Sequence, residues 1–151
     1  MTSNTDVVDI LNDLIETSKD GEHGFRASAE HAKSPALRAL LTTRAGDCRS
    51  AAEQLQTQVR QLGGDPEDSG SAAGAMHRGW VAVRATLSSY DDLAIAQECE
   101  RGEDAALATY REALDNELPP AIRSLVEEQY AGVKRHHDEI RQLRDGLKTA
   151  L

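Results

Sequence analysis

Aromatic residues are scarce in this sequence, and they make up only 3% of its 151 residues. Because the strands of sandwiches and barrels are rich in aromatic and β-branched residues, the shortage argues against an all-β fold. Alanine, leucine, glutamate and arginine are abundant instead, and these residues favour helices. We therefore predict an all-α protein.

Long apolar runs, cysteines and basic residues are also few. No run approaches the roughly 20 apolar residues of a membrane span, and the N-terminus MTSNTDVVDI lacks the pattern of a signal peptide. The two cysteines, Cys48 and Cys99, fall on separate predicted helices, which favours reduced thiols. With 17 basic against 26 acidic residues and no basic stripe, neither nucleic acid nor a membrane surface is an expected partner. We expect a cytoplasmic protein.

Four stretches carry apolar residues at alternating spacings of three and four, the pattern of amphipathic helices. Turn and helix-stop signals separate them: Ser34-Pro35, Gly63-Gly64 and Pro119-Pro120. The pattern predicts helices near 5–32, 35–62, 88–116 and 120–147, the first capped by Asn4 or Thr5. At this length we expect one domain, covering 1–151.

A long crossover, 63–87, separates the second and third helices, and a short helix is predicted within it at 76–86. Two helical hairpins joined by one long connection are the layout of ferritin-like bundles, whereas up-down-up-down bundles have short loops throughout. We therefore predict a ferritin-like four-helix bundle in which the third helix begins at the end where the first hairpin turns.

Ionisable residues interrupt the apolar seam of every helix. At about 1.5 Å of rise per residue, they fall within a slab roughly 5–8 Å thick. A lone buried charge costs several kcal/mol, so these groups should be paired or bound to a metal. Glu22 and Arg44 lie at nearly equal distances from the Ser34-Pro35 turn, which predicts an ion pair between them. The set comprises Glu22, Arg44, Glu100, Glu103 and either His136 or His137.

Four motifs together resemble one bacterial family, the ferritin-like bundles described as domain of unknown function 2383. They are DGEHGF in the first helix, MHRGW in the crossover, ECERGEDAALATYREAL in the third helix and VKRHHDEIRQLRD in the fourth. The resemblance extends from about Val7 to Leu147 and implies the ferritin-like fold. It implies no particular reaction.

Ferritin-like di-iron proteins use one glutamate from each of two helices and a Glu-x-x-His pair from each of the other two. The resemblance places Glu22 at one single-glutamate position and Glu100 or Glu103 at the other. Both pairs are incomplete, because the second helix has DCRS at 47–50 and the fourth has KRHH at 134–137. A standard di-iron centre is therefore not expected.

Two function classes remain open. The leading hypothesis is a non-enzymatic bundle without a cofactor, which forms homo-oligomers or binds a stress-related protein partner. The alternative is a metal-binding protein with storage or oxidase-type chemistry, holding iron, zinc or manganese through Glu22, Glu100, Glu103 and His137. Of the two adjacent histidines only one is expected to point inward. The apolar spacing favours His136, whereas the resemblance favours His137.

Overall fold

The computed structural model describes residues 3–67 and 91–149, and within them every regular element is a helix. The predicted short helix at 76–86 and the start predicted for the third helix, at 88, lie outside these ranges. The helices are α1 (Asn4–His31), α2 (Pro35–Gln61), α3 (Asp92–Leu114) and α4 (Pro120–Thr149). The predicted all-α, ferritin-like bundle is confirmed.

Capping side chains fix the starts of α1 and α3. Ser3, rather than Asn4 or Thr5, caps α1, and its Oγ accepts a hydrogen bond from the backbone N–H of Asp6 at 3.2 Å. Asp91 has an extended backbone and accepts from the N–H of Leu93 at 2.9 Å. This cap places the first residue of α3 at Asp92.

Local sequence signals determine where α2 begins and where it ends. Ser34 caps α2 and Pro35 occupies its first turn, where a missing N–H costs nothing. At the other end Gly63 has a φ of 81°, a left-handed conformation that terminates the helix. Gly64 then packs so closely that a Cβ there would lie 2.9 Å from both methyl groups of Val8 on α1.

Hydrogen bonds at the two ends of the bundle define the topology. Glu67, just after α2, donates its N–H to Asn12 near the start of α1 at 2.9 Å. Asp92, at the start of α3, accepts from the N–H groups of Lys33 and Ser34 at 2.9 and 2.8 Å. The chain between Glu67 and Asp91 therefore begins at one end of the bundle and ends at the other. α3 starts beside the first turn, as the ferritin-like layout predicts.

The two hairpins pack side by side. α1 packs on α2 and α3, and α4 packs on α3 and less extensively on α2, so α2 and α3 face each other across a diagonal. One apolar cluster lies at each end of the bundle. The first contains Leu11, Leu55 and Val126, and the second contains Leu37, Leu41 and Ile140. Polar side chains lie between the clusters, where a site can form.

No helix within residues 3–67 and 91–149 is long and apolar enough to cross a membrane.

Candidate functional site

A buried ion pair crosses the centre of the bundle. Nε of Arg44 on α2 lies 2.5 Å from Oε1 of Glu103 on α3, and Nη2 donates to Oε2 at 3.3 Å. Both side chains are almost completely enclosed, with exposed fractions of 7% and 0%. The guanidinium also lies over the ring of Phe25, 5.4 Å from its centroid, in a cation–π contact. Arg44 thus joins three helices at one level.

The predicted ion pair between Glu22 and Arg44 is wrong. Glu22 is buried, as expected, but its Oε2 pairs with Arg26 one turn later on the same helix, at 3.1 Å. Equal distance from the turn places Glu22 and Arg44 at one level without fixing which side chains meet. The side chain of Arg44 is long enough to cross the bundle to α3, the diagonally opposite helix, where it pairs with Glu103.

Burial and ion pairing shift the pKa values of Arg44 and Glu103 in opposite directions. Burial raises the pKa of the Glu103 carboxyl, and the Arg44 charge together with its hydrogen bond offsets part of that increase. Burial alone would lower the pKa of Arg44, but neighbouring Cys48 and Glu103 more than offset this and leave it above its ordinary value. A proton therefore stays on Arg44, and the charge of Glu103 depends on that contact.

Of the two adjacent histidines of α4, only His136 is buried, as the apolar spacing predicted, while both make contacts between helices. Nε2 of His136 lies 2.6 Å from Oδ2 of Asp47 on α2. Nε2 of His137 lies 2.7 Å from Oδ1 of Asp104 and 4.0 Å from Oε2 of Glu100, both on α3. Successive residues on a helix point about 100° apart. Neighbouring side chains of α4 can therefore face its two neighbouring helices.

Glu100 is less central than its place in the predicted seam suggested. Its carboxylate contacts the Arg144 guanidinium at the α3–α4 boundary, outside the central pair. The buried glutamates of α3 are Glu103, as predicted, and Glu98, which contacts Arg101 at 2.8 Å. Sequence reasoning missed Glu98, Asp47 and Asp104. Glu98 could have been found from the spacing of Ile95, Cys99 and Glu103, because a helix with this spacing places Glu98 beside the same buried face.

The two cysteines are free and buried close to this level. Burial raises the pKa of the Cys48 thiol to about 12, although the nearby Arg44 charge acts in the opposite direction. Burial likewise raises the pKa of the Cys99 thiol to about 12, against a hydrogen bond with Ser28 that lowers it. Both side chains are therefore protonated at neutral pH, the form that packs as a small apolar group.

Three of the four predicted metal ligands are paired with arginines. Glu22 pairs with Arg26, Glu103 with Arg44 and Glu100 with Arg144, while His137 lies nearest Asp104. Within the described ranges no three His, Cys, Asp or Glu side chains form a group that could hold a metal ion. A guanidinium in contact with a central carboxylate also repels a cation. The residues at this level do not fit a di-metal centre.

Several solved structures share the fold of this chain. A mutant of Dps1 from Mycobacterium smegmatis has a TM-score of 0.74 and 13% identity, covering 93% of this chain and 96% of that one. The dodecameric thioferritin of Bacteroides fragilis, a bacterioferritin-related protein, has a TM-score of 0.78 and 14% identity over 98% of this chain and 90% of its own. At these identities the similarity shows the fold alone.

A third similar structure is a two-domain protein from Anabaena variabilis with DJ-1-like and ferritin-like domains. It matches 99% of this chain but only 39% of its own length, with a TM-score of 0.79 and 14% identity. No curated protein sequence matches the chain. A family model, the domain of unknown function DUF2383, matches residues 6–116. Because that match covers most of the chain, the protein belongs to the DUF2383 family.

Proposed function

We propose that the protein is a non-enzymatic, self-associating ferritin-like bundle whose core is held by an ion pair instead of a metal centre. The observation that carries this proposal is the contact between Arg44 and Glu103. Ferritin-like di-iron proteins place carboxylate ligands inside the bundle, projecting from facing helices. Here the central carboxylate is neutralised by a side chain of the protein itself. The guanidinium supplies the positive charge that a cation would otherwise provide.

Self-association is supported by the assembly of a similar fold and by the surface of this one. The Bacteroides fragilis protein is described as dodecameric. In the present chain, partly buried apolar side chains lie at the margins of both core clusters, among them Ile10, Leu40 and Leu147. Contact with further copies would remove these side chains from water, as in other homo-oligomers.

Two measurements on one preparation test the proposal. Sedimentation equilibrium should give a mass that is a multiple of the chain mass. Elemental analysis of protein purified without chelator should find far less than one metal ion per chain. A monomer at every concentration would contradict self-association. Two iron or manganese ions per chain would contradict the ion-paired core.

The alternative predicted from the sequence is one cation bound between α3 and α4 by Glu100, Glu103 and His136 or His137. His137 lies near two carboxylates, those of Asp104 and Glu100, although Arg144 already contacts Glu100. If zinc, iron or manganese binds there, it should raise the melting temperature of the metal-free protein, and Glu100→Gln should reduce that increase. No increase with any of the three metals would eliminate this alternative.

A further inference from the structure

A cavity of about 450 Å³ lies between the two hairpins and is lined by residues of all four helices. This size falls within the roughly 300–1,000 Å³ range of small-molecule sites. Small residues on each hairpin keep the space open, and the larger apolar side chains of Phe25, Tyr110 and Val133 provide part of its wall. The lining glycines are Gly21, Gly24, Gly102 and Gly132.

Arg44 presents an unused hydrogen-bond donor to this space. Its hydrogen bonds use Nε and Nη2, and both go to Glu103. Within the described part of the chain, Nη1 donates to no acceptor, and it is not among the fully enclosed atoms that lack a partner. Arg44 lines the cavity, so Nη1 is the nitrogen of this guanidinium that is left to bind a ligand there. A ligand with an acceptor atom would satisfy it.

The buried charged groups of the cavity wall are already paired, and Arg44 is neutralised by Glu103. Two of the carboxylates already have partners, since Glu98 contacts Arg101 at 2.8 Å and Asp47 contacts His136 at 2.6 Å. A ligand with net charge would add an uncompensated charge to this wall, which disfavours it in a partly enclosed site. The charged lining residues are the basic Arg44, Arg101 and Arg135 and the acidic Asp20, Asp47, Glu98 and Glu128.

We propose that this cavity binds a small, uncharged organic molecule with an apolar body and a carbonyl-type acceptor directed at Nη1 of Arg44. The apolar body packs against Phe25, Tyr110 and Val133, and the acceptor completes the hydrogen bonding of the guanidinium. The Arg44–Glu103 contact stays in place in the complex. This binding function is independent of whether the bundle self-associates.

Two glycines of α4 provide a matched pair of variants. A Cβ on Gly132, which lines the cavity, would meet only Nη2 of Arg135, at 3.7 Å. A leucine there has room to grow into the cavity and fill it. Gly146 lies on the same helix, and a Cβ there would meet nothing within 4 Å. Leucine favours a helix more than glycine does, so Gly132→Leu and Gly146→Leu should both fold.

The uncharged naphthyl ketone prodan serves as the fluorescent probe, with its analogue lacking the acyl group and its carboxylate analogue for comparison. Prodan should bind the full chain once per chain, with blue-shifted emission. The analogue without the acyl group should bind about tenfold more weakly because it cannot accept from Arg44. The carboxylate analogue should also bind more weakly than prodan. Gly132→Leu should lower prodan affinity by about tenfold or more, and Gly146→Leu should leave it unchanged.

Four outcomes of these binding measurements would contradict the proposal. Absence of prodan binding up to its solubility limit would show that the cavity does not accept such molecules. Equal binding to both glycine variants would place the probe elsewhere on the protein. Equal or tighter binding of the carboxylate analogue would overturn the uncharged class of ligand, and equal binding without the acyl group would overturn the role of Arg44. Circular dichroism of both variants verifies that they are folded.

Discussion

Nε of Arg44 lies 2.5 Å from Oε1 of Glu103, so one pair of buried charges connects the first hairpin to the second. Removing either partner leaves the other charge buried and uncompensated, which typically costs about 3–5 kcal/mol. We expect Arg44→Met and Glu103→Leu each to lower the free energy of unfolding by about that amount. Urea denaturation followed by circular dichroism measures it.

A surface pair on the same helix is the control. Arg49 and Glu53 lie 3.3 Å apart with both side chains more than half exposed, and Arg49→Met should change stability by less than about 1 kcal/mol. The double variant Arg44→Met/Glu103→Leu should lose less than the sum of its single changes, because no charge is left unpaired. Equal, small losses for Arg44→Met and Arg49→Met would mean that the central pair is solvated.

Asp92 should contribute more than an ordinary helix-start residue. It accepts hydrogen bonds from the N–H groups of both Lys33 and Ser34 and so fastens α3 to the first turn. Asp92→Ala removes two charge-assisted hydrogen bonds and should cost about 2–4 kcal/mol. Asp91→Ala removes only the cap of α3 and should cost about 1 kcal/mol. Similar losses for the two variants would argue against the fastening role.

The close approach of α1 to α2 gives a third prediction. A Cβ on Gly21 would lie 2.8 Å from Sγ of Cys48, so Gly21→Ala should destabilise the protein by about 1–3 kcal/mol despite the better helix propensity of alanine. The same change at Gly46, where a Cβ meets nothing within 4 Å, should stabilise it by up to about 1 kcal/mol. Adding Cys48→Ala to Gly21→Ala should restore part of the loss. No such rescue would contradict a clash at Sγ.

Stability should fall as the pH rises above about 9. Burial raises the pKa of Cys48 and Cys99 from 9.0 to about 12 and that of Tyr110 from 10.0 to about 12. Between about pH 9 and pH 12 the unfolded chain releases protons that the folded chain retains. The free energy of unfolding therefore decreases by up to about 1.4 kcal/mol per pH unit for each group.

Urea midpoints measured below pH 9 and at rising pH above it test this dependence. The variant Cys48→Ala/Cys99→Ala lacks both thiols and should have a shallower decrease over the same range. Alkylation of the thiols in the folded protein should be correspondingly slow, since the thiolate is the reactive form. A slope identical to that of the cysteine-free variant would mean that the thiols ionise equally in both states.

The helices and their levels could be predicted from the sequence, because apolar spacing and turn residues are local properties of the chain. Each residue adds about 1.5 Å along a helix, so distances from the turns place Arg44 and Glu103 at one level. The partners could not be predicted in the same way. Which side chains meet depends on the order of helices around the bundle axis, and that order puts Glu103 diagonally opposite Arg44.

The errors within the site have a related cause. A rotation of about 100° per residue means that a small error in the angle of a seam exchanges neighbouring residues. The predicted third seam runs through Glu100 and Glu103, and Glu103 is buried as predicted, whereas the other buried acidic residue of α3 is Glu98 instead of Glu100. The contacts of the two histidines depend on a further feature, since α4 packs against two helices, α2 and α3. His136 and His137 each face one of them.

The pairing of Arg44 with Glu103 also affects how the protein unfolds. The two residues belong to different hairpins, so separating the hairpins breaks their contact. Neither hairpin can therefore detach without losing this contact together with the apolar contacts between the hairpins. Partly unfolded states with one hairpin intact should be sparsely populated. The central ion pair thus favours cooperative unfolding of the four helices as a single unit.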